Sequence, residues 1–181
     1  MEYDSNYESP SLTLRLKMSN LPKTVESCVK AKSSVYALIW TTTPWSLPGN
    51  QAIFFNAEFE YSLIRLDNTS DYYIVSTTLI GQLKDLLPEK NIEMVTTFPG
   101  IEFEKCSYLD PFSKTEMRPL LPGDHVKDNK GTGLVHTAPA HGFDDYAACL
   151  AQNISMVGCI EKLFYFCESK MCILPEMCRG R

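Results

Sequence analysis

Hydrophobic and polar residues alternate near the start of the chain. Leu12, Leu14, Leu16 and Met18 occupy every second position, with polar side chains between them. This period of two is typical of a half-buried β-strand. Further short apolar runs, each bounded by turn-forming residues, predict strands at 35–40, 52–55, 61–66, 72–75, 92–97, 117–121 and 134–136. Their spacing favours a β-meander or a β-barrel.

Helical periodicity is clear in one segment. The residues that fall on one face of a helix there are Leu79, Ile80, Leu83, Leu86 and Leu87. Ser76 or Thr77 is expected to cap its start, and Pro88 is expected to end it. A second helix is predicted through Tyr146 to Ala151, with Asp144 as its cap. The pattern as a whole predicts a β-rich α+β fold.

Composition narrows the range of functions. The chain has 181 residues, of which 44% are hydrophobic and 22% charged, as in one compact globular domain. Its net charge is -5 and it lacks a long basic run, so it does not resemble a stand-alone nucleic-acid binder. If RNA is a partner, other parts of an assembly must supply most of the affinity. No apolar run is long enough to span a bilayer, and Met1 to Asp4 do not resemble a targeting segment, so we expect no membrane association.

The cysteines do not form a recognisable metal motif. The chain has seven, four of them close to its end, and no Cys-x-x-Cys. A zinc site normally has tighter ligand pairs, often with histidine, so we expect no metal and no cofactor. Reduced thiols are the ordinary state in an intracellular protein.

Two strand ends carry polar residues next to prolines. Thr41, Thr42 and Thr43 follow an apolar strand and precede Pro44, which disfavours the helical region at Thr43 and ends the strand. We expect the threonine amides to be unpaired there. A second strand leads into His136, Thr137, Ala138 and Pro139. Either end alone is compatible with an ordinary structural turn, whereas the two side by side would form a polar cleft.

Two motifs at these strand ends resemble the editing domain of isoleucyl-tRNA synthetases. They are Trp40-Thr-Thr-Thr-Pro-Trp-Ser-Leu-Pro-Gly-Asn50 and Gly131-Thr-Gly-Leu-Val-His-Thr-Ala-Pro-Ala-His-Gly-Phe-Asp-Asp-Tyr146. Related valyl and leucyl enzymes usually carry Arg after the first two threonines, so Thr43 favours the isoleucyl family. The form of the second motif resembles the bacterial and organellar branch. The resemblance implies a β-barrel editing domain of class I aminoacyl-tRNA synthetases, with peripheral helices, inserted into a Rossmann catalytic body.

The resemblance covers residues 7–154, and residues 155–181 depart from the family. That tail is either a divergent segment or the product of an altered transcript. Neither a His-x-Gly-His adenylate motif nor the family's full lysine loop is present in the sequence. We therefore expect no aminoacylation activity from this chain. The organellar resemblance suggests the mitochondrial matrix, or the cytoplasm if the source is bacterial.

The resemblance also implies a reaction and residue roles. The family's editing domain hydrolyses the ester that joins a wrong amino acid, chiefly valine, to the 3′ end of isoleucine tRNA. Asp145 matches the anchor for the α-ammonium group. Thr41, Thr42 and Thr43 match the loop that contacts substrate and water, and Asn50 matches a further polar position. His136 matches the residue that narrows the pocket against isoleucine. It could also act as a general base, but the steric role is favoured.

The two tryptophans of the first motif are also expected to contribute to the site or the core. Trp45 is a candidate substrate-binding residue that could pack under the threonines, with Trp40 in the core. The expected partners are the 3′ end of isoleucine tRNA carrying valine and the remainder of the synthetase, and the chain itself is expected to be a monomer. The alternative is a non-catalytic truncated isoform that acts as a binding or regulatory module. A generic β-barrel nucleic-acid module is less well supported, because the chain lacks a basic groove.

Overall fold

The computed structural model describes residues 11–67, 69–87, 91–113 and 115–154. The predicted tail at 155–181, the start of the resemblance at 7–10 and the helix stop at Pro88 lie outside these ranges. The strands β1 to β9 are Leu12–Asn20, Val35–Thr41, Ala52–Phe55, Glu60–Leu66, Tyr72–Ser76, Ile92–Pro99, Ser107–Leu109, Met117–Pro122 and Leu134–Thr137. The helices α1 to α3 are Lys23–Cys28, Ile80–Leu86 and Phe143–Ala151.

Six of the strands close into a barrel. Their order is β1-β7-β8-β3-β9-β2, and an antiparallel pairing of β2 with β1, from Thr41 opposite Leu12 to Tyr36 opposite Lys17, completes the circle. Strands β5, β4 and β6 continue the sheet outward from β2. The prediction of a β-rich fold with a barrel is therefore confirmed, and the barrel rather than the meander describes its core.

Side-chain alternation fills the barrel and leaves an outer apolar surface for the helices. On β3, Ile53 and Phe55 belong to the central core, whereas Ala52 and Phe54 pack outward with Cys149 of α3. This two-sided burial explains why β3 is apolar at every position. Helix α2 covers a second outer cluster, in which Leu79, Leu83 and Leu87 pack with buried residues of β2, β4 and β5. Each such side chain contributes about 1.5–3 kcal/mol when fully buried.

The strand predictions are confirmed to within two residues at each end, but the helix caps are not. Helix α2 begins at Ile80, after a short 3-10 turn at Thr77–Leu79, and no side chain caps either element. The hydroxyls expected to cap it are engaged elsewhere: Ser76 bonds Thr78, and Thr77 bonds Ser62. Helix α3 is capped at Gly142 without a side-chain bond, so the prediction of Asp144 as its cap is wrong.

Two short elements have no periodic signal in the sequence. Helix α1 buries only Val25, and β7 has three residues between β1 and β8. Both were absent from the predicted elements because neither is long enough to show a pattern. Among the described residues, no helix has the length and apolar character needed to cross a bilayer.

Candidate functional site

The two polar strand ends lie side by side. Strands β2 and β9 run parallel, with Trp40 in register with Val135, so Thr41 and His136 follow at the same edge of the barrel. Together with the loop before β9 and the start of α3 they enclose a cavity of about 400 Å³. Its lining residues are Trp40, Thr41, Thr42, Thr43, Ser46, His125, Lys127, Asn129, Lys130, Val135, His136, His141 and Asp145.

The threonines form a loop that is braced by its own hydroxyls. We define residues 41–43 as the threonine loop. The Thr41 hydroxyl accepts a bond of 3.0 Å from the Thr43 amide and lies 3.2 Å from the Thr43 hydroxyl. The expectation of unpaired threonine amides is therefore wrong for Thr43. Thr42 differs from its neighbours, since its hydroxyl has no partner among the residues described. It is therefore available to a ligand or a water molecule.

His136 is held at both ring nitrogens behind the cavity wall. It is 6% exposed. Asn50 Nδ2 lies 3.0 Å from the carbonyl of Ala52, which only accepts, so this atom is the amide donor, and it also lies 2.7 Å from His136 Nδ1. Nδ1 must therefore accept. The proton then resides on Nε2, which lies 2.9 Å from the hydroxyl oxygen of Ser46.

The same chain of bonds reaches the threonine loop. Ser46 donates its proton to the Thr43 carbonyl at 2.7 Å, and so its oxygen is free to accept from His136. At the other end, the buried Tyr108 hydroxyl donates to Asn50 Oδ1. Burial raises the pKa of Tyr108, which keeps its phenol protonated. The five residues Tyr108, Asn50, His136, Ser46 and Thr43 form a continuous network, which we call the histidine network.

The histidine network favours a neutral imidazole. Burial, with a smaller contribution from His141, lowers the pKa of His136 from 6.5 to about 4. Its accepting nitrogen is occupied by Asn50, so His136 has no free lone pair with which to remove a proton from water or from Ser46. The arrangement of serine, histidine and asparagine is therefore not that of an activated nucleophile, which needs the histidine to accept the hydroxyl proton. The imidazole of His136 is therefore held in place by bonds at both ring nitrogens.

Asp145 supplies a carboxylate at the end of the cavity where α3 begins. Its Oδ2 accepts the Ala138 amide at 2.8 Å, which ties α3 to the turn after β9, and Oδ1 accepts no hydrogen bond from the described residues. Burial raises the pKa of this carboxyl, although the bond from Ala138 and the nearby His125 oppose the shift. A ligand ammonium group at Oδ1 would favour the ionised form.

Three other predicted positions lie differently. Asn50 does not line the cavity, because it sits behind His136 in the histidine network. Trp45 is 52% exposed and also lies outside the lining, so it does not pack beneath the threonine loop. Trp40 is half-buried and lines the cavity, which corrects its expected place in the core. Its side chain instead lies on the outer surface of β2.

Several lining residues were not predicted. They are His125, Lys127, Asn129 and Lys130, from the loop that precedes β9, together with Ser46. Ser46 lies inside the first motif, and that location was the feature of the sequence that could have identified it as a lining residue. The loop carries no hydrophobic period, but its lysines come shortly before the glycine-rich turn at 131–133. The described residues contain no cluster of three or more His, Cys, Asp or Glu that could hold a metal ion.

Comparisons with known proteins place the fold and the sequence in one family. No protein-family model matches the chain. It is 36% identical over 156 residues to the mitochondrial isoleucine--tRNA ligase of Mus musculus, which covers 86% of this chain and 15% of that protein. It is 37% identical over 151 residues to the isoleucine--tRNA ligase of Francisella tularensis, covering 82% of this chain and 16% of that protein.

Solved structures agree on the fold. One described as GlLeuRS-CP1 has a TM-score of 0.66 at 19% identity and covers 89% of this chain and 67% of its own. The editing domain of the cytosolic leucyl-tRNA synthetase of P. falciparum has a TM-score of 0.65 at 19% identity, covering 92% and 70%. The fold is thus that of a CP1 editing domain of a class I aminoacyl-tRNA synthetase. By sequence, the chain belongs to the isoleucyl-tRNA synthetase family, and it spans about 15% of the length of the mouse relative.

Proposed function

We propose that this chain hydrolyses the ester between valine and the 3′ end of isoleucine tRNA. The observation that carries the proposal is that the threonine loop, His136 and Asp145 converge on one cavity of about 400 Å³. The substrate has an α-ammonium group, an ester and a small branched side chain. Asp145 offers an anion for the ammonium group, the threonine loop offers polar groups for the ester, and His136 limits the space for the side chain.

The proposed reaction needs no covalent intermediate. Asp145 Oδ1 receives the ammonium group, and the Thr42 hydroxyl orients a water molecule toward the ester carbonyl carbon. The oxygen of water bonds to that carbon, the bond from the carbon to the ribose oxygen breaks, and a proton from water ends on the ribose oxygen. Because an aminoacyl ester is already reactive, placement of water and substrate supplies much of the catalysis.

In this proposal, discrimination between valine and isoleucine depends on His136, which limits the size of the cavity. A pocket built for isoleucine gains only about 1–3 kcal/mol from one methylene, a general magnitude for which isoleucyl-tRNA synthetases are the standard example. A second cavity that admits valine and excludes isoleucine multiplies that discrimination. His136, fixed at both nitrogens, is the residue that we assign to this exclusion.

The proposal includes partners and a compartment. The 3′ end of isoleucine tRNA carrying valine is the substrate, and the rest of the synthetase supplies most of the tRNA contact, since an acidic chain offers few groups for phosphates. We place the chain, as a monomer, in the mitochondrial matrix, or in the cytoplasm of a bacterium. The competing proposal is a non-catalytic module that binds the same ligand without turnover.

Deacylation of valyl and isoleucyl tRNA at high concentrations of the full chain tests the function. We expect valyl tRNA to be hydrolysed faster, Asp145→Ala to abolish the valine reaction and His136→Ala to admit isoleucine. Asp144→Ala is the matched control, because this neighbouring carboxylate is exposed and does not line the cavity. Equal rates for the two esters would refute the proposal. Binding of a non-hydrolysable valyl-adenosine analogue without turnover would support the non-catalytic module.

A further inference from the structure

Two lysines line the cavity that also contains Asp145. Lys127 and Lys130 come from the loop before β9, and both are exposed. Neither forms an ion pair within the described part of the chain. The protein has a net charge of -5, yet this cavity is lined by two lysines and one carboxylate, Asp145. The two lysines attract an anion to this side of the site.

The loop geometry holds Lys130 in place. Its Nζ lies 4.8 Å from the centroid of the Trp40 ring, as in a cation–π contact. Gly131 has a φ of 81° and lies directly against the same ring, where a Cβ would come within 3.1 Å of it. On the far side of the loop, Gln82 of α2 donates to the Asn129 carbonyl at 3.1 Å. The ammonium group of Lys130 therefore lies over the Trp40 ring on the outer surface of β2.

The lysine and the carboxylate are separated along the strands. Trp40 is in register with Val135, and Asp145 is bonded to the Ala138 amide, three residues further along the chain. At the rise of a β-strand this is roughly 10 Å. The charges that act on Asp145 come from His125, His141 and Asp144. Asp145 therefore lies at the α3 end of the cavity, and Lys130 lies at the end formed by Trp40.

We propose that Lys127 and Lys130 form a phosphate subsite that receives the 5′-phosphate of the terminal nucleoside, the group that joins it to the rest of the RNA. The inference rests on the proposed function and extends it to the orientation of the substrate. An aminoacylated nucleotide carries an ammonium group at one end and a phosphate at the other, which matches the two ends of the cavity. Asn129 adds a polar side chain between the lysines. The bound 3′ end then leaves the cavity past Trp40 and the loop before β9.

The test compares two non-hydrolysable ligands with the full chain by calorimetry. One is adenosine carrying valine through an amide at its 3′ position, and the other is the same compound with a 5′-phosphate. We expect the phosphate to lower Kd about tenfold at low salt, and less at physiological ionic strength. Lys127→Gln with Lys130→Gln is expected to remove this advantage and to leave the affinity for the unphosphorylated ligand unchanged.

The controls separate this inference from the proposed function. Lys23→Gln with Lys30→Gln removes the same charge from exposed positions outside the cavity and is expected to retain the phosphate advantage. Asp145→Asn is expected to weaken both ligands equally. If the unphosphorylated ligand binds but the phosphate adds nothing, or the advantage survives loss of both lysines, the phosphate subsite is refuted and the proposed function stands. If neither ligand binds, both fall.

Discussion

The buried His136 makes stability depend on pH in a direction that the structure specifies. The pKa of His136 is lowered from 6.5 to about 4, so between these values the unfolded chain binds a proton that the folded chain does not. Stability from this group is therefore fully present above pH 6.5 and is lost as the pH falls toward 4. A tenfold change in proton activity is worth about 1.4 kcal/mol, which gives a loss of about 2 kcal/mol between pH 7 and pH 5.

Urea unfolding of the full chain at pH 5, 6, 7 and 8, followed by circular dichroism, measures this dependence. His136→Gln is expected to be less stable at pH 7, because two bonds of the histidine network are lost. Between pH 7 and pH 5, however, its free energy of unfolding is expected to fall by about 2 kcal/mol less than that of the parent protein. Burial raises the pKa of Asp145, and that group acts in the opposite direction, so the difference between the two proteins is the informative quantity.

A control and a clear contrary result complete the experiment. His125→Gln removes an exposed imidazole whose ring is tilted against Phe54 and which opposes the raised pKa of Asp145, so it reports how much of the pH dependence comes from Asp145. If His136→Gln loses as much stability as the parent between pH 7 and pH 5, the neutral, doubly held imidazole is refuted. The steric role assigned to His136 would then lose its structural basis.

Two further predictions concern the scaffold of the site and are read from urea unfolding at pH 7. Tyr108→Phe leaves Asn50 Oδ1 without its buried donor and is expected to cost about 1–3 kcal/mol, and an unchanged free energy of unfolding would remove Tyr108 from the histidine network. Gly133→Ala is expected to cost more than about 1 kcal/mol, because its φ is 73° and a Cβ would lie 2.4 Å from Ser76 Cβ. Gly81→Ala in α2, where a Cβ meets nothing within 4 Å, is its control and is expected to gain about 0.5–1 kcal/mol. Equal effects at the two glycines would contradict this reasoning.

The strands were predictable because each is a short apolar run between turn residues. The sequence also predicts that Thr41 and His136 lie at strand ends, since Pro44 and Pro139 follow them closely. That β2 and β9 are neighbours is a property of the closed barrel, and no local pattern contains it. The shared pattern of the two strand ends suggested a cleft and the resemblance supported it, whereas the register of Trp40 with Val135 is visible only in the structure.

The misplaced side chains have a common physical cause. Ser76, Thr77 and Asp144 were assigned as caps on propensity, but the hydroxyls found side-chain partners and the turn before α3 closed through Gly142. Propensity identifies which residues are able to cap, and tertiary contacts decide whether they do. The resemblance gives Asn50 as a further polar position and Trp45 as a substrate-binding candidate, and the structure places Asn50 behind His136 and leaves Trp45 52% exposed.

The histidine network joins the wall of the cavity to its polar edge. The imidazole that would exclude isoleucine also donates to Ser46, and Ser46 donates to the carbonyl of Thr43 in the threonine loop. Truncation of His136 to alanine is therefore expected to widen the cavity and to loosen the loop at the same time. Because residues within one hydrogen-bonded network do not act additively, a variant that admits isoleucine is also expected to hydrolyse valine more slowly. Ser46→Ala retains the imidazole and its bond from Asn50 but removes the link to the loop, so it tests the loop with the side chain of His136 still present. In the reaction proposed above, exclusion of isoleucine and hydrolysis of valine would thus share one structural support, the histidine network.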